Sequence, residues 1–167
     1  MAIAKMSKTR RAADTTGKLY AQAAALPLRL SNASKVEVLM VTSRDTGRWV
    51  PPKGWTNKRK SPWSSAKIEA WEEAGAIGAI SKTPLGTYDY NKILNDGTAI
   101  TCRVTLYPMV VQKLSKKWKE KHERTRCWFS PEQAARRVCE PELGAMISSI
   151  EARPDWLRKM LKKYASV

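Results

Sequence analysis

Short apolar runs of strand character alternate along the chain with three stretches that start and stop like helices. Residues 20–30 are mostly apolar, and Val36–Thr42 (VEVLMVT) is a β-rich run entered from the turn-forming Ser31-Asn32-Ala33-Ser34. β-Branched runs bounded by Ser and Asn clusters predict strands. Trp49-Val50 forms a brief extended piece that stops at Pro51-Pro52. A helix is predicted from Ser61-Pro62, because Ser caps free N–H groups and Pro is tolerated in the first turn. Gly75 closes it by supplying the left-handed conformation of a helix end. Two further extended stretches, residues 85–90 and 100–111, flank Asn95-Asp96-Gly97, a hairpin signal. A Lys-rich loop over 113–126 leads to Cys127-Trp128-Phe129 as a short strand. Ser130-Pro131-Glu132 opens a second helix in the same Ser-Pro manner, and a last helix covers 154–164.

Strands interrupted by a few helices, without repeats or a Gly/Ser-rich linker, predict one mixed α/β domain over 19–167. The preceding residues, 1–18, carry Lys5, Lys8, Arg10 and Arg11 without an apolar run and read as a mobile basic tail. The apolar stretches 21–28 and 104–111 are too short to cross a bilayer.

Charge changes the picture more than hydrophobicity does. The apolar fraction, 43%, is ordinary, but 31 Lys and Arg against 15 Asp and Glu give a formal net charge of +16. Such an excess selects polyanions as partners: nucleic acid, an acidic surface, or a small phosphate-rich ligand. The three cysteines, Cys102, Cys127 and Cys139, form no CxxC pair, and His122 is the one histidine. Neither a disulfide framework nor a Cys/His zinc site is supported. A reducing cytoplasm is the expected compartment.

The informative segment is 54–76, GWTNKRKSPWSSAKIEAWEEAGA. Glu69, Glu72 and Glu73 stand at i, i+3 and i+4, which places three carboxylates on one helix face. Left alone they repel and are merely solvated. Together they also suit a hard divalent cation, which takes oxygen ligands and keeps waters. A carboxylate free of metal can act as general base.

This segment resembles the Nudix box, G-x5-E-x7-R-E-U-x-E-E-x-G-U, without a gap. Gly54, Glu69, Glu72, Glu73 and Gly75 fall on the box's fixed positions, with Ala70 and Ala76 at its apolar ones. Five fixed residues at ordinary frequencies make a chance match on the order of 10⁻⁴. The resemblance implies a Nudix α/β/α sandwich with a mixed β-sheet and a loop-helix-loop box. It also implies Mg²⁺ (or Mn²⁺) held by Glu72 and Glu73, with the Gly54 carbonyl as a further ligand and Glu69 as either ligand or base. Two positions depart from the pattern: Lys60 replaces the first glutamate and Ile68 the arginine. Both belong to the group that organises the glutamates in the family, so the metal count and rate stand open.

Beyond the box, residues 38–44 (VLMVTSR), Arg48-Trp49, Pro52-Lys53-Gly54 and residues 123–129 (ERTRCWF) resemble the diphosphoinositol polyphosphate phosphohydrolases. They equally resemble the bacterial relatives of those enzymes and the diadenosine polyphosphate hydrolases. The resemblance implies that Ser43, Arg44, Lys53, Arg124 and Arg126, with Arg103 as a weaker candidate, clamp substrate phosphates. Arginine's planar fork suits this work. The Lys-rich loop holds seven basic against two acidic residues, and Lys53, Lys58, Arg59 and Lys60 cluster without an acid. That excess favours an inositol pyrophosphate over a dinucleotide. A dinucleotide hydrolase needs an aromatic platform for adenine, for which Trp49, Trp55 and Trp63 are available. A catalytically degenerate basic domain that binds RNA is the rival from another class. Oligomeric state is not legible.

Overall fold

The computed structural model describes residues 17–165, so most of the predicted basic tail lies outside the described residues. Among the described residues eight strands form one sheet: β1 (Leu19–Leu30), β2 (Val36–Thr42), β3 (Trp49–Val50), β4 (Lys53–Trp55), β5 (Ala76–Ile80), β6 (Gly86–Ile93), β7 (Ala99–Leu114) and β8 (Arg126–Phe129). Helices α1 (Pro62–Ala74), α2 (Pro131–Arg137), α3 (Pro141–Ser148) and α4 (Asp155–Tyr164) complete it, with a 3₁₀ turn at Ser149–Ala152. The spine of the sheet runs β3-β2-β1-β7-β5; β4 adds to β1, β6 to β7 and β8 to β2. β1 and β7 are parallel and every other pair is antiparallel, so the sheet is mixed.

Side chains alternate across a strand, and the two resulting faces bury different partners. Ala24, Leu26, Leu28, Val36, Val38, Met40, Val104 and Leu106 pack under α2, α3 and α4 through Ala134, Leu143, Ile147, Leu157 and Leu161. Their neighbours Ala23, Ala25, Leu39, Val41, Tyr107 and Met109 pack under α1, against Ala66, Ala70 and Ala74. The expected α/β/α sandwich is therefore formed. Three alanines at four-residue spacing let α1 lie close on the sheet, and that fixes which of its other residues meet the edge of the core.

Most predicted elements fall where expected, with ends displaced by a few residues. Three elements are additions. β4 joins Gly54 to Ala23 of β1, so the box begins on a short strand rather than in a free loop. β5, AIGAI, follows α1 at once and pairs with β7 through a register shift between Ile77 and Gly78. α3 begins after Glu140, which makes no side-chain cap.

Candidate active site

Helix α1 is bounded as its sequence predicts. Ser61 Oγ accepts from the Ser64 N–H, and Gly75, at φ 63°, ends it with its N–H directed at the carbonyls of Ala70 and Trp71. With about 100° between successive residues, Glu73 lies beside the buried alanine stripe, Glu69 next, and Glu72 furthest out. Burial agrees at the inner position: Glu73 is 6% exposed, while Glu69 and Glu72 are both half-buried. Gly54 on β4 faces Glu69 so closely that a Cβ there would overlap the Glu69 carboxylate. Glycine is required at that place for the glutamate to sit where it does.

The last turn of α1 contains no basic residue, and its free carbonyls are satisfied by the Lys-rich loop instead. The Glu120 N–H donates to the Glu72 carbonyl at 3.0 Å, and Ser115 N–H to that of Gly75 at 2.8 Å. Trp118 Nε1 donates to the Glu73 carbonyl at 3.1 Å, and Arg126 Nη1 to that of Ala74 at 2.8 Å. Unpaired helix-end carbonyls need such partners, and a cation there also meets the negative end of the helix dipole. Docking the loop in this way carries Glu120 and Arg124 to the glutamates of α1.

The result is a cleft of about 570 Å³, lined by Ser43, Arg44, Asp45, Lys53, Gly54, Trp55, Glu69, Glu72, Glu73, Lys119, Glu120, Glu123 and Arg124, with Gln22, Tyr90 and Lys92 completing its wall. Six carboxylates and five basic side chains share it. Arg124 is the buried centre: Nη2 lies 3.1 Å from Glu73 Oε1 and 3.4 Å from Glu120 Oε1, and Nη1 donates to the Thr42 carbonyl at 3.0 Å. The Arg124, Glu73 and Glu120 side chains are 8%, 7% and 10% exposed. Arg44 reaches Glu120 at 3.2 Å from a largely solvated position, and Lys119 meets Glu72 at 3.4 Å. Exposed pairs of the latter kind are worth about 0–1 kcal/mol, whereas removing one partner of a buried pair costs about 3–5 kcal/mol.

Burial, with the charge of Glu72 adding to it, pushes the Glu69 carboxyl up to about 7. Burial also raises Glu73 to about 7, against the opposing pull of Arg124 and Lys53. The Lys53 ammonium is lowered by burial, opposed by Glu73, and lies 5.0 Å from the centre of the Tyr90 ring. Tyr90 in turn donates to Gln22 Oε1 at 2.7 Å.

Of the residues singled out from sequence, Ser43, Arg44, Lys53, Gly54, Glu69, Glu72, Glu73 and Arg124 line the cleft together. Arg103 and Arg126 do not. Arg103 is on the outer side of the β6–β7 hairpin, held by Asp89 at 2.8 and 2.9 Å, and Arg126 caps α1 while stacking 3.8 Å from the Trp118 ring centre. Lys60 is exposed in the turn before α1, and Ile68 faces Lys67, Trp71, Ala76 and Ile77 in a separate apolar hollow. Both departures from the box therefore lie outside the cleft. Among the tryptophans, Trp49 packs edge-on against Phe129 and Trp63 against Tyr107, while Trp55 lines the cleft, 47% exposed. Glu120, Glu123, Lys92, Lys119, Tyr90 and Gln22 are cleft residues that no spacing rule picks out. The one sequence-level sign for Glu120 was an acid inside a run of bases.

Among the described residues, no set of three or more His, Cys, Asp or Glu side chains is arranged to hold a metal ion. The donors nevertheless fit a hard cation in kind. The side-chain donors are all carboxylates; burial raises those of Glu69 and Glu73, while Glu72 is paired with Lys119 and Glu73 and Glu120 with Arg124.

A mixed sheet between helical layers, with a glutamate-bearing helix lining a basic-rimmed cleft, is the Nudix fold. The C. elegans Ap4A hydrolase structure superimposes with a TM-score of 0.56 over 81% of this chain and 98% of that one, at 21% identity. No family model matches the chain. Nudix hydrolase 16, mitochondrial, of Arabidopsis thaliana is 30% identical over 132 residues, covering 71% of this chain and 72% of its own length. The human diphosphoinositol polyphosphate phosphohydrolase 3-beta is 32% identical over 101 residues, covering 59% of this chain and 57% of its own. The chain belongs to the Nudix hydrolase family. It spans 60 to 63% of the length of four further Arabidopsis Nudix hydrolases.

Proposed function

We propose that the chain is a Mg²⁺-dependent phosphoanhydride hydrolase whose substrate is a diphosphoinositol polyphosphate. The observation that carries this reading is the composition of one cleft: Glu69, Glu72 and Glu73 on one wall, with Arg44, Lys53, Lys92 and Lys119 around them. Six carboxylates against five basic groups leave little net attraction for a polyanion, so a cation is needed between the glutamates and the phosphates. Glu72, Glu73 and the Gly54 carbonyl would hold Mg²⁺ (or Mn²⁺), with Glu69 beside them as a further ligand or as the base. The ion would supply charge neutralisation at the phosphate oxygens and activate a water. Where Glu69 stays free of the ion, its half-buried carboxyl, raised to about 7, suits the general base, because a base works best with a pKa near the working pH. Arg44, Lys53, Lys92 and Lys119 would orient the phosphates. The human relative whose name specifies diphosphoinositol polyphosphate supports the substrate.

A second reading, a dinucleoside polyphosphate as substrate, is favoured by Trp55, whose exposed indole at the cleft mouth offers a stacking face. Three free cysteines support a reducing compartment such as the cytoplasm, and among the described residues no helix is long and apolar enough to cross a membrane. The test is phosphate and nucleotide release with Mg²⁺, comparing an inositol pyrophosphate with diadenosine polyphosphates and using Glu73→Gln as control. Preferential cleavage of the inositol compound supports the first reading, and cleavage of the dinucleotide alone replaces it with the second. Silence on both, with RNA retained at low salt, would move the chain to the RNA-binding class.

A further inference from the structure

The family's box arginine is Ile68 here and faces away from the cleft, yet a buried guanidinium still sits among the carboxylates. It is delivered from the loop before β8. Arg124 Nη2 bridges Glu73 on α1 and Glu120 on the loop, and its Nη1 is pinned to the Thr42 carbonyl at the end of β2. All three side chains are at least nine-tenths buried. The remaining Glu73 oxygen, Oε2, accepts from the Lys53 N–H at 3.3 Å. Arg124 Nε is buried and has no partner among the described residues, so this side chain is held by its two terminal nitrogens.

We propose that Arg124 is a resident cation of the carboxylate cluster, taking on Glu73 and Glu120 the place a second divalent ion would otherwise fill. The inference rests on the reading of the cleft as a metal site and adds how many ions it accepts. Two asymmetries support it. The Lys119–Glu72 pair is exposed and readily opened, which frees Glu72 for an ion, whereas the Arg124 pairs are buried and anchored from three elements. An ion arriving at Glu69 and Glu72 finds carboxylates without a buried basic partner; one arriving between Glu73 and Glu120 must displace a fixed guanidinium of like charge. Glu73 keeps lone pairs for the first ion, since each carboxylate oxygen can accept twice. Arg124 is thus a positioning residue that sets ion count, and its nitrogens are not available as a phosphate clamp.

The experiment is titration of the full chain with Mn²⁺ alone, counting bound ions by electron paramagnetic resonance and calorimetry, without substrate. Arg124→Met is expected to bind one Mn²⁺ more than the native chain. Arg124→Lys, which keeps the charge, is expected to retain the native count. Because Arg124→Met removes a buried charge and can fail to fold, Glu120→Gln is measured beside it. That variant is expected to leave the count unchanged, since Arg124 already occupies Glu120. A folded Arg124→Met chain with the native count, or loss of an ion in Glu120→Gln, overturns the proposal while leaving the hydrolase reading intact. A native chain that binds no Mn²⁺ at all overturns both.

Discussion

Gly54 and Glu69 define the tightest constraint on the glutamates at the residue scale. A methyl group at Gly54 would occupy the space of the Glu69 carboxylate, so Gly54→Ala must displace either β4 or the glutamate. Because the displaced group is the end of a flexible side chain, the expected cost in denaturant unfolding is below about 1 kcal/mol, and the larger effect is reduced turnover as the Glu69 carboxylate leaves its place. Gln at Glu72 or Glu73 is expected to lower Mg²⁺-dependent release by about 10²–10⁴-fold, the range general acid–base and charge-placing groups contribute. Retention of native rates by both would remove these residues from the proposed site. Arg103, paired with Asp89 on the outer side of the hairpin that also lends Tyr90 and Lys92 to the cleft, is the internal control: Arg103→Ala should leave KM and kcat within twofold.

At the scale of elements, the telling contact is between α1 and the loop over 115–125. Loops usually follow the surface, but this one is bonded to the carbonyls of residues 72, 73 and 75 at the end of a helix, and Arg126, the first residue of β8, takes that of residue 74. Arg126→Ala removes the bond to the Ala74 carbonyl and the cover over Trp118. It is expected to destabilise by about 1–2 kcal/mol and to speed amide exchange in 115–125, with the carboxylates less well placed. If exchange there stays at the native rate, the loop is held by something other than its caps. β5 and α3 show where local signals are weak. AIGAI has few β-branched residues, and α3 carries Gly144 in its interior without an N-cap bond, so packing decides both.

On the scale of the whole molecule, the +16 charge and the cleft part company. Of the Lys-rich loop only Lys119 and Arg124 reach the cleft, and of the cluster over 53–60 only Lys53 does. A small substrate therefore meets few cations, and raising salt from 50 to 200 mM should change KM by less than about tenfold. Extended nucleic-acid binding would instead weaken by about 10³–10⁵ over that range. Stability in the absence of metal has its own pH signature. Glu69 and Glu73 titrate near 7 in the fold and near the ordinary 4.5 when unfolded. Their protonated forms thus favour the fold, with the full contribution below about 4.5, and it is lost as pH rises through 7. In EDTA the melting temperature should fall across that window, Glu69→Gln should flatten the fall, and Mg²⁺ should reverse it above pH 7. An equal fall in the Glu69→Gln variant would assign it to other groups.

The sequence by itself determined the face of α1 and its two ends, because capping, glycine conformation and helical spacing are properties of neighbouring residues. Ser61, Pro62, Gly75 and the three glutamates needed nothing from afar. It also carried the frame of Gly54 against Glu69, since that spacing is shared by the family it resembles. Tertiary structure alone decided which of the many basic residues are functional candidates. Arg124, at the end of the loop, and Arg126, at the start of β8, are two positions apart, yet one enters the carboxylate cluster and the other caps a helix. Their partners lie 51 and 52 residues away along the chain, and the outcome depends on how that loop docks on the end of α1. Charge is read from composition, but the depth at which a charge is buried, and the partner it meets there, is set by packing.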